Sequence, residues 1–91
     1  MKVEFHRKFS KDLAKIPKDE VLQKIKDAIL HLEGADDLRS LSQIKTLKGG
    51  GGFLRVRVGP YRIGLQQTAG GGLLLLRVMH RREIYRNFPP K

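Results

Sequence analysis

The chain opens with a weak alternation over Lys2–His6, Val3 and Phe5 falling on one side, which predicts a short first strand. Phe9, Leu13 and Ile16 then recur at helical spacing, and Pro17 ends or redirects that helix. Asp19 and Glu20 open a second, longer helix, where acidic groups favour the positive end of the backbone dipole. Its apolar stripe is Val21, Leu22, Ile25, Ala28, Ile29 and Leu32, and Gly34 is placed to cap it. Residues 35–48 read ADDLRSLSQIKTLK, with Leu38, Leu41, Ile44 and Leu47 at intervals of three. That spacing suits either a short helical turn or a connector packed on the core.

Three strand patterns follow, Phe53–Val58, Tyr61–Gln67 and Leu73–Met79, separated by Gly59-Pro60 and Gly70-Gly71-Gly72. The order β-α-α-β-β-β predicts an α+β fold, one layer of helices on a mainly antiparallel sheet. Leu73–Val78 is almost continuously apolar, as a strand covered on both faces would be. It delivers the chain to HRREIYR, residues 80–86; if that tail is helical, Tyr85 lies one turn from Arg81 and Arg82. No repeat or linker divides the chain, so residues 1–91 are expected to form a single domain.

Composition narrows the function. With no cysteine there is no disulfide, thiol nucleophile or cysteine zinc site. His6 and His31 stand alone without metal-ligand spacing, so neither a metal nor another cofactor is expected. The N-terminus lacks the apolar segment of a secretory signal, and Leu73–Leu76 is far too short to span a bilayer. A cytoplasmic protein without membrane contact is the expectation.

Lys and Arg total 19 against 9 acids, a net charge of +10 that favours a polyanionic partner. Residues 1–52 hold nine Lys and two Arg against eight acids, whereas residues 53–91 hold seven Arg and one Lys against Glu83 alone. Arginine makes the planar, two-pronged contacts that phosphate accepts; scattered lysines serve mainly solubility.

Two features compete for that phosphate: the glycine run Gly49–Gly52 and the arginines after it. A glycine cradle needs a strand before it and a helix start after it, so that free amides point at the anion. Here the glycines precede a strand, and Leu65-Gln66 follows Gly64 where a P-loop requires Lys-Ser/Thr. The arginines are better placed. With Gly59-Pro60 as a two-residue turn, Val58 faces Tyr61, Arg57 faces Arg62, Val56 faces Ile63, Arg55 faces Gly64 and Leu54 faces Leu65. One hairpin face is then apolar, Tyr61 included, and the other gathers Arg55, Arg57 and Arg62 around a glycine that leaves room for an anion. The unmet repulsion between facing arginines is what such an anion would relieve.

The segments FLRVRVGPYRIGL and RVMHRREIYR, with the approach Leu47–Gly49, resemble the RelE/ParE superfamily of toxins from type II toxin–antitoxin modules. The resemblance covers most of the chain, and the tyrosine-bearing ending is similar to the RelE branch. It implies a small RelE-like fold whose sheet binds RNA, and a toxin that cuts mRNA in the ribosomal A site. It also implies a cognate antitoxin that blocks or distorts the site. By motif position, Arg62, Arg81 and Tyr85 are the expected catalytic residues, and Arg55 and Arg57 are expected to bind RNA. Arg82 and Arg86 extend that basic surface. Some family members carry lysines on the first hairpin strand, one proposed as a base; the arginines here are poor proton acceptors.

The implied reaction is attack of a ribose 2′-OH on the adjacent phosphate, giving a 2′,3′-cyclic phosphate and a free 5′-hydroxyl. It requires proton acceptance, proton donation and positive charge on the phosphorane. Arg62 and Arg81 would supply charge, while Tyr85 would stack on a base or assist proton transfer, though a phenol is a weak base at neutral pH. His80 is the remaining catalytic candidate, as the nearby side-chain type that ordinarily titrates in the useful range, although alternation equally points it into packing. Lacking a strong base, such a site is expected to depend on the ribosome to align the nucleophile. Two alternatives stand beside this reading: a ParE-like gyrase inhibitor, and a non-enzymatic RNA-binding module on the same fold.

Overall fold

A computed structural model describes residues 1–90. The elements run β1 (Val3–Phe5), α1 (Arg7–Ala14), α2 (Glu20–Gly34), a 3-10 turn (Leu38–Ser40), β2 (Ile44–Thr46), β3 (Phe53–Val58), β4 (Tyr61–Gln67), β5 (Leu73–His80) and α3 (Arg81–Asn87). The α+β class is as expected. The sheet has one more strand than the hydrophobic pattern predicts, because the ambiguous connector supplies both a helical turn and the edge strand β2. A strand of three residues leaves too little alternation to be recognised.

Sheet order is β1-β5-β4-β3-β2. All pairings are antiparallel except β1 with β5, which is parallel over Val3–Phe5 and Leu73–Leu75. The β3–β4 register reproduces every predicted pair, from Leu54↔Leu65 to Val58↔Tyr61. Gly59 makes the turn possible: its φ of 57° is the left-handed geometry required at the first central position, which other residues adopt at a cost.

A register shift interrupts the alternation of β5. Gly64 pairs with Arg77 but Leu65 pairs with Leu75, so Leu76 is an extra residue. The bulge changes the phase of the alternation, which lets Leu73, Leu75 and Val78 all reach one core.

That core lies between the sheet and α1–α2. Leu54, Val56, Val58, Ile63 and Leu65 meet Phe9 and Ile16 from the first helical segment and Ile25, Ile29 and Leu32 from α2. Each helix starts on a side-chain cap. His6 Nδ1 accepts from the Lys8 N–H at 3.0 Å, Asp19 Oδ1 from the Val21 N–H at 2.9 Å, and His80 Nδ1 from the Arg82 N–H at 3.2 Å. α1 stops before Pro17, as predicted; Gly34 is the last residue of α2 rather than the residue beyond it.

α1 also covers the stretch of β5 that β1 leaves unpaired. Asp12 accepts from Arg77 Nε at 2.7 Å, from Arg77 Nη2 at 3.1 Å and from the Val78 N–H at 3.2 Å. One carboxylate therefore satisfies an open strand amide and neutralises the arginine beside it.

Candidate nucleic-acid interface

The sheet face away from α1–α2 carries the predicted arginines. Arg55 faces Gly64 and Arg57 faces Arg62 across the hairpin. Among the described residues, ion pairs engage Lys2, Arg39 and Arg77, and none engages Arg55, Arg57, Arg62, Arg81, Arg82 or Arg86. Their charge is available to an outside anion.

Arg62 is held most firmly. Its Nη1 donates to the Gly59 carbonyl at 2.8 Å and to the Tyr61 carbonyl at 2.9 Å. A guanidinium has five N–H donors in one plane. Anchoring Nη1 fixes that plane and leaves the Nε–Nη2 edge, the two-pronged edge that suits a phosphate. The same turn binds the start of α3, since the Arg81 N–H donates to the Pro60 carbonyl at 2.8 Å. Arg62 and the backbone of Arg81 are thus brought to one turn from opposite ends of the motif.

Gln43 steadies the other two arginines. Its side-chain oxygen accepts from Arg57 Nε at 3.1 Å, and its carbonyl accepts from Arg55 Nη1 at 3.4 Å. The sequence offers no signal for this role, because Gln43 lies in the connector whose pattern left two readings open.

The tail is helical, so Arg81, Arg82, Tyr85 and Arg86 are carried on α3, all of them exposed. Tyr85 is 56% exposed, next to Ile84, which is fully buried. His80 goes elsewhere. It pairs with Tyr61 across β4–β5 and packs edge-on against that ring, with centroids 5.8 Å apart. Its Nδ1 caps α3, so a neutral ring carries its proton on Nε2. Tyr61 itself packs against the core, as expected.

The expected room beside Gly64 is filled. Phe88, just beyond α3, folds back onto the arginine face, and a Cβ on Gly64 would meet its ring atoms at 2.7–2.8 Å. An anion therefore cannot approach at Gly64, and the charged surface lies around this aromatic plug rather than over it. Phe88 was missed because its relation to Ile84, four residues earlier, identifies a buried helix face only once the tail is known to be helical.

The glycine run turns the chain into β3. The Gly51 carbonyl accepts from Gln66 Nε2 at 2.8 Å and the Gly52 carbonyl from the Gln67 N–H at 2.9 Å. The run leads into β3 and not into a helix start, so it lacks the setting of an anion cradle. Among the described residues no group of His, Cys, Asp and Glu could hold a metal ion, and no helix is long and apolar enough to cross a membrane.

A separate groove of about 510 Å³ opens between α2 and β2–β3. Leu32, Ile44, Val56 and Val58 give it apolar walls, with Lys24, Asp27 and Arg57 as its charged lining residues.

An open, mainly antiparallel sheet backed by two helices, with free arginines opposite and a short tyrosine-bearing helix at its end, is the build of a small toxin from a toxin–antitoxin module. The family described as the ParE toxin of the type II toxin–antitoxin system matches residues 3–85. The chain is 39% identical over 90 residues to Toxin RelE3 of Methanocaldococcus jannaschii, covering 98% of this chain and all of that one. It is also similar to the toxin-containing RelB–RelE crystal structure from Methanococcus jannaschii, with 35% identity, a TM-score of 0.77 and coverage of 94% and 99% of the two chains. The archaeal RelE–RelB complex from Pyrococcus horikoshii OT3 has the same fold at 22% identity, with a TM-score of 0.70 and coverage of 91% and 97%. The chain belongs to the RelE/ParE superfamily and is a RelE-family toxin of a type II toxin–antitoxin system.

Proposed function

We propose that this toxin is a ribosome-dependent mRNA endonuclease that arrests translation by cutting the message in the A site. The observation that carries the reading is Arg62, whose guanidinium is fixed by two turn carbonyls with its Nε–Nη2 edge left over. Such preorganised charge stabilises a phosphorane without rearranging at the moment of reaction. Arg81, anchored through its backbone to the same turn, is the second charge stabiliser. Arg55, Arg57, Arg82 and Arg86 clamp the RNA backbone, and exposed Tyr85 stacks on a base or assists proton transfer. His80 holds the start of the helix that carries Tyr85; to act as a base through Nδ1 it would have to release the Arg82 N–H.

The arginines of this face are poor proton acceptors, so rate must come largely from alignment of the 2′-OH with its phosphate. In this proposal the ribosome supplies that alignment, in the cytoplasm, with no metal or other cofactor. The partner that restrains the toxin is a cognate antitoxin. The groove between α2 and β2–β3 offers apolar walls and basic residues to an acidic amphipathic segment of such a partner.

The test is a cell-free translation reaction with mapped mRNA 5′ ends, run with the wild-type chain and with an Arg62→Ala/Tyr85→Ala variant. Cuts inside translated codons that disappear in the variant are expected. Equally rapid cleavage of naked mRNA would remove the ribosome from the proposal, and intact mRNA in both reactions would end it. A second reading, inhibition of DNA gyrase, draws on the ParE description of the matching family. It would be favoured by loss of supercoiling activity while translation continued. RNA bound without cleavage would point to the binding-module reading.

A further inference from the structure

Helix α3 has seven residues, too few for a helix to persist in water by its own hydrogen bonds. Something outside it must hold Tyr85 in place. At its start the restraints are polar: the Arg81 N–H on the Pro60 carbonyl, and His80 as cap. At its far end the restraint is packing. Phe88 is 2% exposed, seated on Gly64, and meets Phe53 edge-on with ring centroids 5.5 Å apart. Ile84, on the same helix face one turn earlier, is fully buried.

Gly64 is the seat of this contact because of space. Its backbone is not in the left-handed region, so alanine would fit the strand conformation. It would not fit the gap, since its Cβ would stand 2.7 Å from Phe88 Cγ and 2.8 Å from both Cδ atoms. A buried ring cannot yield as an exposed, flexible side chain can.

We infer that Phe88 and Gly64 form a lock that fixes the far end of α3, making Phe88 a positioning residue for Tyr85. The functional half of this inference rests on the cleavage reading above. The structural half does not. Without the lock, α3 keeps its polar start and the buried Ile84 but loses the seat at its far end, and Tyr85, between the two, is held less firmly. Misplacement of a reacting or stacking group by about 1 Å can cost roughly 100-fold in rate.

Phe88→Ala is expected to slow ribosome-dependent cleavage by about 10–100-fold, with partial recovery in Phe88→Leu. Gly64→Ala, which expels the ring, is expected to reproduce the defect. In the Phe88→Ala background the same Gly64→Ala change is expected to add nothing, because the ring it would strike is gone. If Phe88 acts through Tyr85, Phe88→Ala adds little once Tyr85 is alanine. Losses that multiply instead would overturn the positioning role, and a harmless Gly64→Ala would overturn the lock.

Amide hydrogen exchange supplies the readout that does not need activity. In Phe88→Ala, amides of residues 84–87 are expected to exchange at least about tenfold faster, while those of Ile63 and Val78 keep their protection. Unchanged exchange in α3 would overturn the lock even in an active toxin. Were the wild-type chain to leave mRNA intact, the cleavage reading would fall, and the exchange result would still decide whether Phe88 holds α3. If Phe88→Ala fails to fold, Phe88→Leu and Gly64→Ala carry the same comparisons.

Discussion

Removing the Asp12 carboxylate should show how much of the fold hangs on one acid. Its side chain is 10% exposed, that of Arg77 is 23% exposed, and their closest contact is 2.7 Å. In Asp12→Ala, the Val78 N–H loses its acceptor, at about 1–3 kcal/mol for a buried donor. Arg77 loses two charge-assisted bonds and keeps its charge, partly screened by its residual exposure. Together these give about 2–4 kcal/mol, against a total stability on the order of 5–15 kcal/mol for a domain. At roughly 4–8 °C per kcal/mol for a domain of this size, the melting midpoint should fall by more than about 8 °C. Asp12→Asn retains an acceptor for Val78 and should lose about half as much. The assay is urea unfolding followed by far-ultraviolet circular dichroism, with thermal melts beside it. An Asp12→Ala loss below about 1 kcal/mol would refute the reasoning, because desolvation of the pair would then cancel its bonds.

Other expectations follow from single contacts. Gly59→Ala forces a φ of 57° on a residue with a Cβ and should cost roughly 1–2 kcal/mol in urea titrations, whereas Gly70→Ala, with open space around it, should stay within about 0.5 kcal/mol. Asp19→Ala removes the α2 cap and should cost about 1 kcal/mol by the same measurement. If the arginine face contacts RNA phosphates, Arg57→Ala should reduce the slope of log affinity against log salt by about one in a filter-binding titration. Arg39→Ala, which alters an exposed arginine paired with Asp37, should leave that slope unchanged.

Much of this was legible because the hairpin is self-specifying. Gly59-Pro60 sets the turn, alternation sets the faces, and the two together leave one register for Arg55, Arg57 and Arg62. The helices are equally plain, since their apolar stripes are long and Pro17 separates them. What escaped was either too short or too distant. β2 is three residues long, and its hydrophobic spacing also suits a helical turn. The bulge at Leu76 leaves no mark in a run that is apolar throughout. Arg77 is one of seven arginines in residues 53–91 with nothing in the sequence to set it apart, and only the fold brings Asp12 to it. Gly64 read as an opening, since a missing side chain looks the same in sequence whether an anion or a phenylalanine occupies the space.

The pairing of β1 with β5 bears on how such a chain is made. A strand at the start of the sequence has its ladder partner near the end, and the α3 lock comes later still. While the ribosome is producing the chain, the hairpin can emerge and fold, but β1 stays unpaired until β5 has cleared the exit tunnel. Phe88 is withheld longer, so the helix bearing Tyr85 is the last piece to find its seat. The topology thus sets an order of assembly: the sheet closes only once β5 is free to take up β1, and the seat of α3 forms after that.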